Sequence, residues 1–82
     1  MMDIQYENVL RKLYTHAKEA REYYVMNCDI GLPSDKRKEV CHWLQNNGYI
    51  SKYEAIGKTY VRCQITEKAI QYFNNKAMEE EK

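Results

Sequence analysis

Only four residues in this chain interrupt backbone regularity by their own chemistry, and all lie between positions 31 and 57: Gly31, Pro33, Gly48 and Gly57. Nothing breaks the run from Asp3 to Ile30, so helix is free to propagate there, and the chain beyond Ile30 is divided into short pieces. Asp3 can cap a helix starting at Ile4, along which Tyr6, Leu10, Leu13, Ala17, Ala20 and Tyr24 recur at steps of four and three. The aromatic and β-branched stretch 23-YYVMN-27 weakens that helix. A break is therefore expected between Lys18 and Tyr24, then a short second helix to Ile30, ended by Gly31 in the left-handed conformation.

Pro33 biases Leu32 away from helical angles, and Ser34 stands where its hydroxyl can cap a third helix that Gly48 ends. On that helix Val40, Leu44 and Asn47 share a face with Cys41 and the stem of Arg37; Asp35, Lys38, Glu39, His42, Gln45 and Asn46 share the other. The segment 49-YISKYEAIGKTYVRCQI-65 reads as two strands joined at Gly57, with Val61, Cys63 and Ile65 pointing inward. Thr66 can cap a last helix whose apolar stripe is Ala69, Ile70 and Phe73. The expected core is Leu10, Leu13, Ile30, Val40, Leu44, Ile50, Val61, Ile65 and Phe73. At 82 residues there is room for one such core.

Several function classes are disfavoured. With 44% hydrophobic and 30% charged residues the chain is too apolar to stay disordered. It has no apolar run long enough to span a bilayer and no apolar signal core at its start, so a cytoplasmic location is expected. Cys28, Cys41 and Cys63 are odd in number and lack paired-ligand spacing, which points to reduced thiols. A zinc site from these three with His16 or His42 is disfavoured because Cys41 and His42 are adjacent and face different ways on a helix. His42 has no Ser, Cys or carboxylate at triad spacing. No enzymatic activity, metal or cofactor is expected. The eight tyrosines divide into Tyr6, Tyr24, Tyr49, Tyr60 and Tyr72, expected in core or interface, and Tyr14, Tyr23 and Tyr53, left open.

The segment 30-IGLPSDKRKEVCHWLQNNGYI-50 is the most informative. It resembles the helix-turn-helix core of winged-helix transcription regulators of bacteria and phages. Ile30, Gly31 and Leu32 match the turn, and Leu44, Gly48, Tyr49 and Ile50 match the end of the recognition helix. Downstream, the short hairpin followed by 65-ITEKAIQYF-73 resembles the end of the wing and the next helix. The resemblance spans about residues 4 to 76. It implies a mainly α fold with a small antiparallel hairpin and a three-helix core, forming one domain over residues 1–78, with 79–82 as an acidic tail lacking fixed structure.

It also implies sequence-specific binding to double-stranded DNA, the third helix in the major groove and the wing on the backbone or minor groove. Ser34, Lys36, Lys38, His42 and Gln45 would act from the helix, and Lys52, Lys58 and Arg62 from the wing. A homodimer on a two-fold related site is expected, since one copy has little surface for a tight complex. The charge balance supports this modestly. Overall it is +1; the last four residues, EEEK, hold three acids and one base, leaving 12 basic against 9 acidic, or +3. Residues 34 to 62 hold six basic side chains and three acids, but Asp35 and Glu39 lie on the very face that would meet DNA. The alternative is a winged-helix protein-interaction module without DNA binding.

Overall fold

Asp3 does open the first helix, its side-chain oxygen accepting from the Gln5 amide at 2.8 Å. That helix, α1 (Ile4–Ala20), stops inside the expected window. Arg21 takes the left-handed conformation (φ 57°), and the Glu22 amide reaches back to the Ala17 carbonyl, satisfying acceptors that the helix end would orphan. The computed structural model describes residues 2–80.

The next element differs from expectation. Residues 24–29 form a strand, β1 (Tyr24–Asp29), in place of a short second helix. A helix there would have put Val25 and Cys28 on one stripe. As a strand, β1 pairs with β3 (Tyr60–Ile65) and buries both against it, Val25 opposite Cys63 and Cys28 opposite Val61. An irregularity between those pairs, with Asn27 at φ 54°, makes the strand's phase unreadable as simple alternation. Gly31 still adopts positive φ (71°), but it turns a strand into a helix, so the helix-turn-helix pair is replaced by strand–turn–helix.

The remaining elements are α2 (Ser34–Asn46), β2 (Ile50–Ile56) and α3 (Glu67–Glu80). Pro33 takes the N-cap position of α2 without a side-chain bond, so Ser34 is the first helical residue and not the cap. Thr66 donates its hydroxyl to the Gly48 and Tyr49 carbonyls (2.6 and 2.9 Å), tying the end of α2 to the start of α3. Because α3 runs through Glu80, the first two residues of the expected tail are helical; residues 81 and 82 lie outside the described residues.

The fold is thus mixed α/β: three helices and a three-stranded antiparallel sheet in the order β1-β3-β2. The helices cover one face of the sheet. All nine expected core residues are buried, with Leu10, Leu13, Val40, Leu44 and Val61 fully so. Removing a leucine side chain of this kind from water stabilises the fold by about 2 kcal/mol. The other face of the sheet is open, and Tyr24 and Tyr60, expected in core or interface, are outside the core and exposed there at 36% and 43%. No helix among the described residues is long and apolar enough to cross a membrane.

One polar group sits within the α1–α3 packing. Glu7 is buried and accepts from the Tyr72 hydroxyl at 2.8 Å and from the Lys76 ammonium, with Arg11 at 4.0 Å. The Lys76 bond, then the Tyr72 bond, hold its carboxyl below the ordinary value of 4.5. This stabilisation is complete above that ordinary value and is lost as pH falls through the lower folded one. Glu7→Gln should therefore flatten the acid limb of the stability–pH curve. Tyr72→Phe should cost about 1.5 kcal/mol at neutral pH, read by urea unfolding. An unchanged acid limb in Glu7→Gln would show that this carboxylate does not govern the acid response.

Candidate nucleic-acid interface

The expected reading surface is built from α2 and the β2–β3 hairpin, and Arg37 decides how the two sit together. Its position on the Val40–Leu44 stripe carries the side chain inward, to 6% exposure. Its Nη1 then donates to the carbonyls of Gly57 (3.1 Å) and Tyr60 (3.3 Å) on either side of the hairpin turn. At the other end of the helix, the Gln45 side-chain oxygen accepts from the Tyr53 amide at 3.1 Å. Between them the His42 ring meets the Tyr53 ring edge-on, centroids 5.7 Å apart. The spacing is self-consistent: Arg37 to Gln45 is about 12 Å along a helix, and Tyr53 to Gly57 is about 13 Å along a strand. The strand β2 therefore lies antiparallel along α2, fixed at both ends.

Each expected DNA-contacting residue can be placed on this frame. Ser34 is exposed at the start of α2. Lys38 is exposed seven residues before Gln45, hence on the flank facing β2. Lys58 lies in the turn that Arg37 grips, and Lys52 sits in a bulge of β2 at φ 53° beside Tyr53. So Lys38, Lys52 and Lys58 are exposed on α2, on β2 and in the hairpin turn, and among the described residues none has a carboxylate within 4 Å.

The other cations are committed. Lys36 pairs with Glu39 one turn on, at 3.2 Å. Arg62, on the open face of the sheet, donates to Glu54 across the β2–β3 ladder through Nε (3.0 Å) and Nη2, and its pKa is raised by that carboxylate. Arg37 was not among the expected contacts and is buried. The side-chain oxygen of Gln45 is used internally, which leaves its amide group as the donor. At roughly 100° per residue, the stripe pointing furthest from the core is Asp35, Glu39, His42 and Asn46, all exposed. The acids are central on that face.

Away from this surface, the three cysteines are buried and free. Burial pushes the Cys41 and Cys63 thiols up to about 11 and about 12, so they are inert core groups at neutral pH. Among the described residues no His, Cys, Asp or Glu cluster is arranged to hold a metal.

No protein family, curated protein or solved structure matches the chain. The sequence pattern placed the stem of Arg37 on the buried face, but its partners lie 20 and 23 residues away, beyond any local signal. Replacing Arg37 with Met should cost about 2 kcal/mol, since a charged donor to two carbonyls is lost. It should also speed amide exchange across Thr59–Val61, whereas Lys38→Ala should stay within about 0.5 kcal/mol of the parent. Equal losses from both would contradict the assignment of Arg37 as the anchor.

Proposed function

We propose that this chain is a winged-helix-like domain that binds double-stranded DNA as a small transcription regulator, two copies acting on a two-fold related site. In this reading α2 enters the major groove, about 12 Å wide, and the β2–β3 hairpin serves as the wing on the adjacent backbone or minor groove. The observation that carries it is that Lys38, Lys52 and Lys58 are exposed, without a carboxylate within 4 Å among the described residues, on a helix and a hairpin joined by Arg37 and Gln45. A helix and a hairpin fixed at a set separation can present cations to successive phosphates without ordering cost at binding. Lys38 and His42 are the side chains best placed to reach base edges, and Lys52 and Lys58 to meet phosphates. Ser34 opens the helix end that would face a phosphate.

A second reading, a protein-interaction module without DNA binding, is favoured by Asp35 and Glu39 at the centre of the outer face of α2. A carboxylate there repels phosphate unless it accepts from a cytosine amino group. Against this reading, Glu39 is paired with Lys36, so that Asp35 is the one of the two without a cation within 4 Å among the described residues, set against three such lysines.

The test is anisotropy titration of random duplex DNA across salt concentration. Two phosphate-contacting lysines per copy predict a slope of log K against log salt of about −1.8 per copy, with Lys52→Ala or Lys58→Ala each removing about 0.9, whereas Lys38→Ala should change base preference. Lys36→Ala and Arg62→Ala should change the slope less, as their charges already have partners, and Glu54→Gln, which releases Arg62, should strengthen binding. Absence of binding at low salt would overturn the DNA reading and leave the protein-interaction module.

A further inference from the structure

A seam runs along the outside of the antiparallel α1–α3 pair. Near the end of α1 a hollow of about 310 Å³ is floored by Tyr14, Ala17, Ile65 and Ile70, with Lys18, Arg21 and Glu22 on its rim. A second hollow of the same volume continues from Tyr14 and Lys18 to Arg11, Phe73 and Lys76. Tyr14 stacks on Phe73 at 4.9 Å where the two meet. At the far end stands Tyr23, which at 65% is the most exposed aromatic described. The result is one trough with an aromatic and aliphatic floor.

Its rim carries an excess of positive charge. Among the described residues Arg11, Lys18, Arg21 and Lys76 line it with one carboxylate, Glu22. Glu7, beneath the floor, engages Lys76 and lies 4.0 Å from Arg11, but among the described residues no carboxylate lies within 4 Å of Lys18 or Arg21. From Arg11 to Arg21 the trough is about 15 Å long, the length of about three helical turns. Two antiparallel helices with an apolar groove between them accept a third helix, read through anchors at i, i+3 or i+4, and i+7.

We propose that the α1–α3 trough is a docking site for an acidic amphipathic helix of another protein, its apolar side chains seated over Tyr14, Ile70 and Tyr23 and its carboxylates against Lys18, Arg21 and Arg11. Nucleic acid fits this surface poorly, because a phosphate backbone offers nothing apolar to cover Tyr14, Ile70 and Phe73. A second copy of this chain fits poorly as well: pairing the seam with itself sets one excess of positive charge against another. The site lies apart from α2 and the hairpin and stands whether or not those bind DNA.

The experiment is a chemical-shift titration of the ¹⁵N-labelled full chain with two synthetic fourteen-residue helical peptides sharing one Leu/Phe face. One peptide carries Glu on its flanks and the other Lys. The Glu peptide should shift the amides of Tyr14, Lys18, Tyr23, Ile70 and Phe73, and the Lys peptide should bind at least about tenfold more weakly. The double variant Lys18→Glu/Arg21→Glu should weaken the Glu peptide by about tenfold or more, and Lys18→Gln/Arg21→Gln by less, with both retaining the parent's circular dichroism. Equal affinity for the two peptides, no binding, or shifts confined to α2 and the hairpin would overturn the proposal. So would trough amides that move with protein concentration alone, which would mean a second copy, or on addition of duplex DNA.

Discussion

Arg37 leaves the apolar stripe of α2 and ends on the carbonyls of Gly57 and Tyr60, and the geometry of the whole α2–hairpin unit depends on that side chain. A guanidinium loses hydration on burial and must recover it from protein acceptors. Gly57 and Tyr60 flank the turn, where backbone carbonyls are not all consumed by the strand ladder, and the positive φ of Gly57 (63°) closes that turn tightly. The bond is therefore mutual: the turn satisfies the arginine, and the arginine fixes the turn against the first turn of α2. Nε remains without a protein partner, and Nη1 carries the two bonds to the turn. The separation between α2, which carries Lys38, and the hairpin, which carries Lys52 and Lys58, is set by this anchor and by Gln45 at the other end.

The same principle, a buried polar group joining two elements, operates between α1 and α3. Glu7 gathers Tyr72 and Lys76 and so ties α1 to α3, with Arg11 nearby. The two seams differ in what they leave over. Along α2 and β2 the remainder is three lysines and a polar helix face; along α1 and α3 it is an apolar floor with a cationic rim. A formal net charge of +1 conceals both, because Glu39, Glu54 and Glu7 are engaged in pairs, leaving Asp35 on the face of α2 and Glu22 on the trough rim. We propose the first surface for a polyanion read through its backbone and the second for an acidic helix that can also bury apolar side chains.

How much of this was legible in the sequence depended on the range of the deciding interaction. The core residues, the start of α1, the extent of α2 and the hairpin around Gly57 were readable because period, cap and turn chemistry act within a few residues. The strand β1 was not, since Val25 and Cys28 sit three apart, a helical spacing, and only the bulge at Asn27 lets a strand bury both. Counting six basic residues over 34–62 overstated the free charge for three separate reasons. The Lys36–Glu39 pair is visible from its spacing, the Arg62–Glu54 pair needs the strand register, and the burial of Arg37 needs the tertiary fold. Tyr24 and Tyr60 reached the open face for the same reason: which side of a sheet is covered is decided by where the helices pack.

The central claim is that α2 and the hairpin form one rigid unit whose lysines meet duplex DNA. Chemical-shift mapping of the ¹⁵N-labelled chain with a random duplex at low salt tests it most directly. The account predicts shifts concentrated at Ser34, Lys38 and His42 on α2 and at Lys52, Lys58 and Thr59 on the hairpin, moving together along one titration curve. Shifts confined to α1 and α3, or α2 responding while the hairpin stays silent, would contradict it.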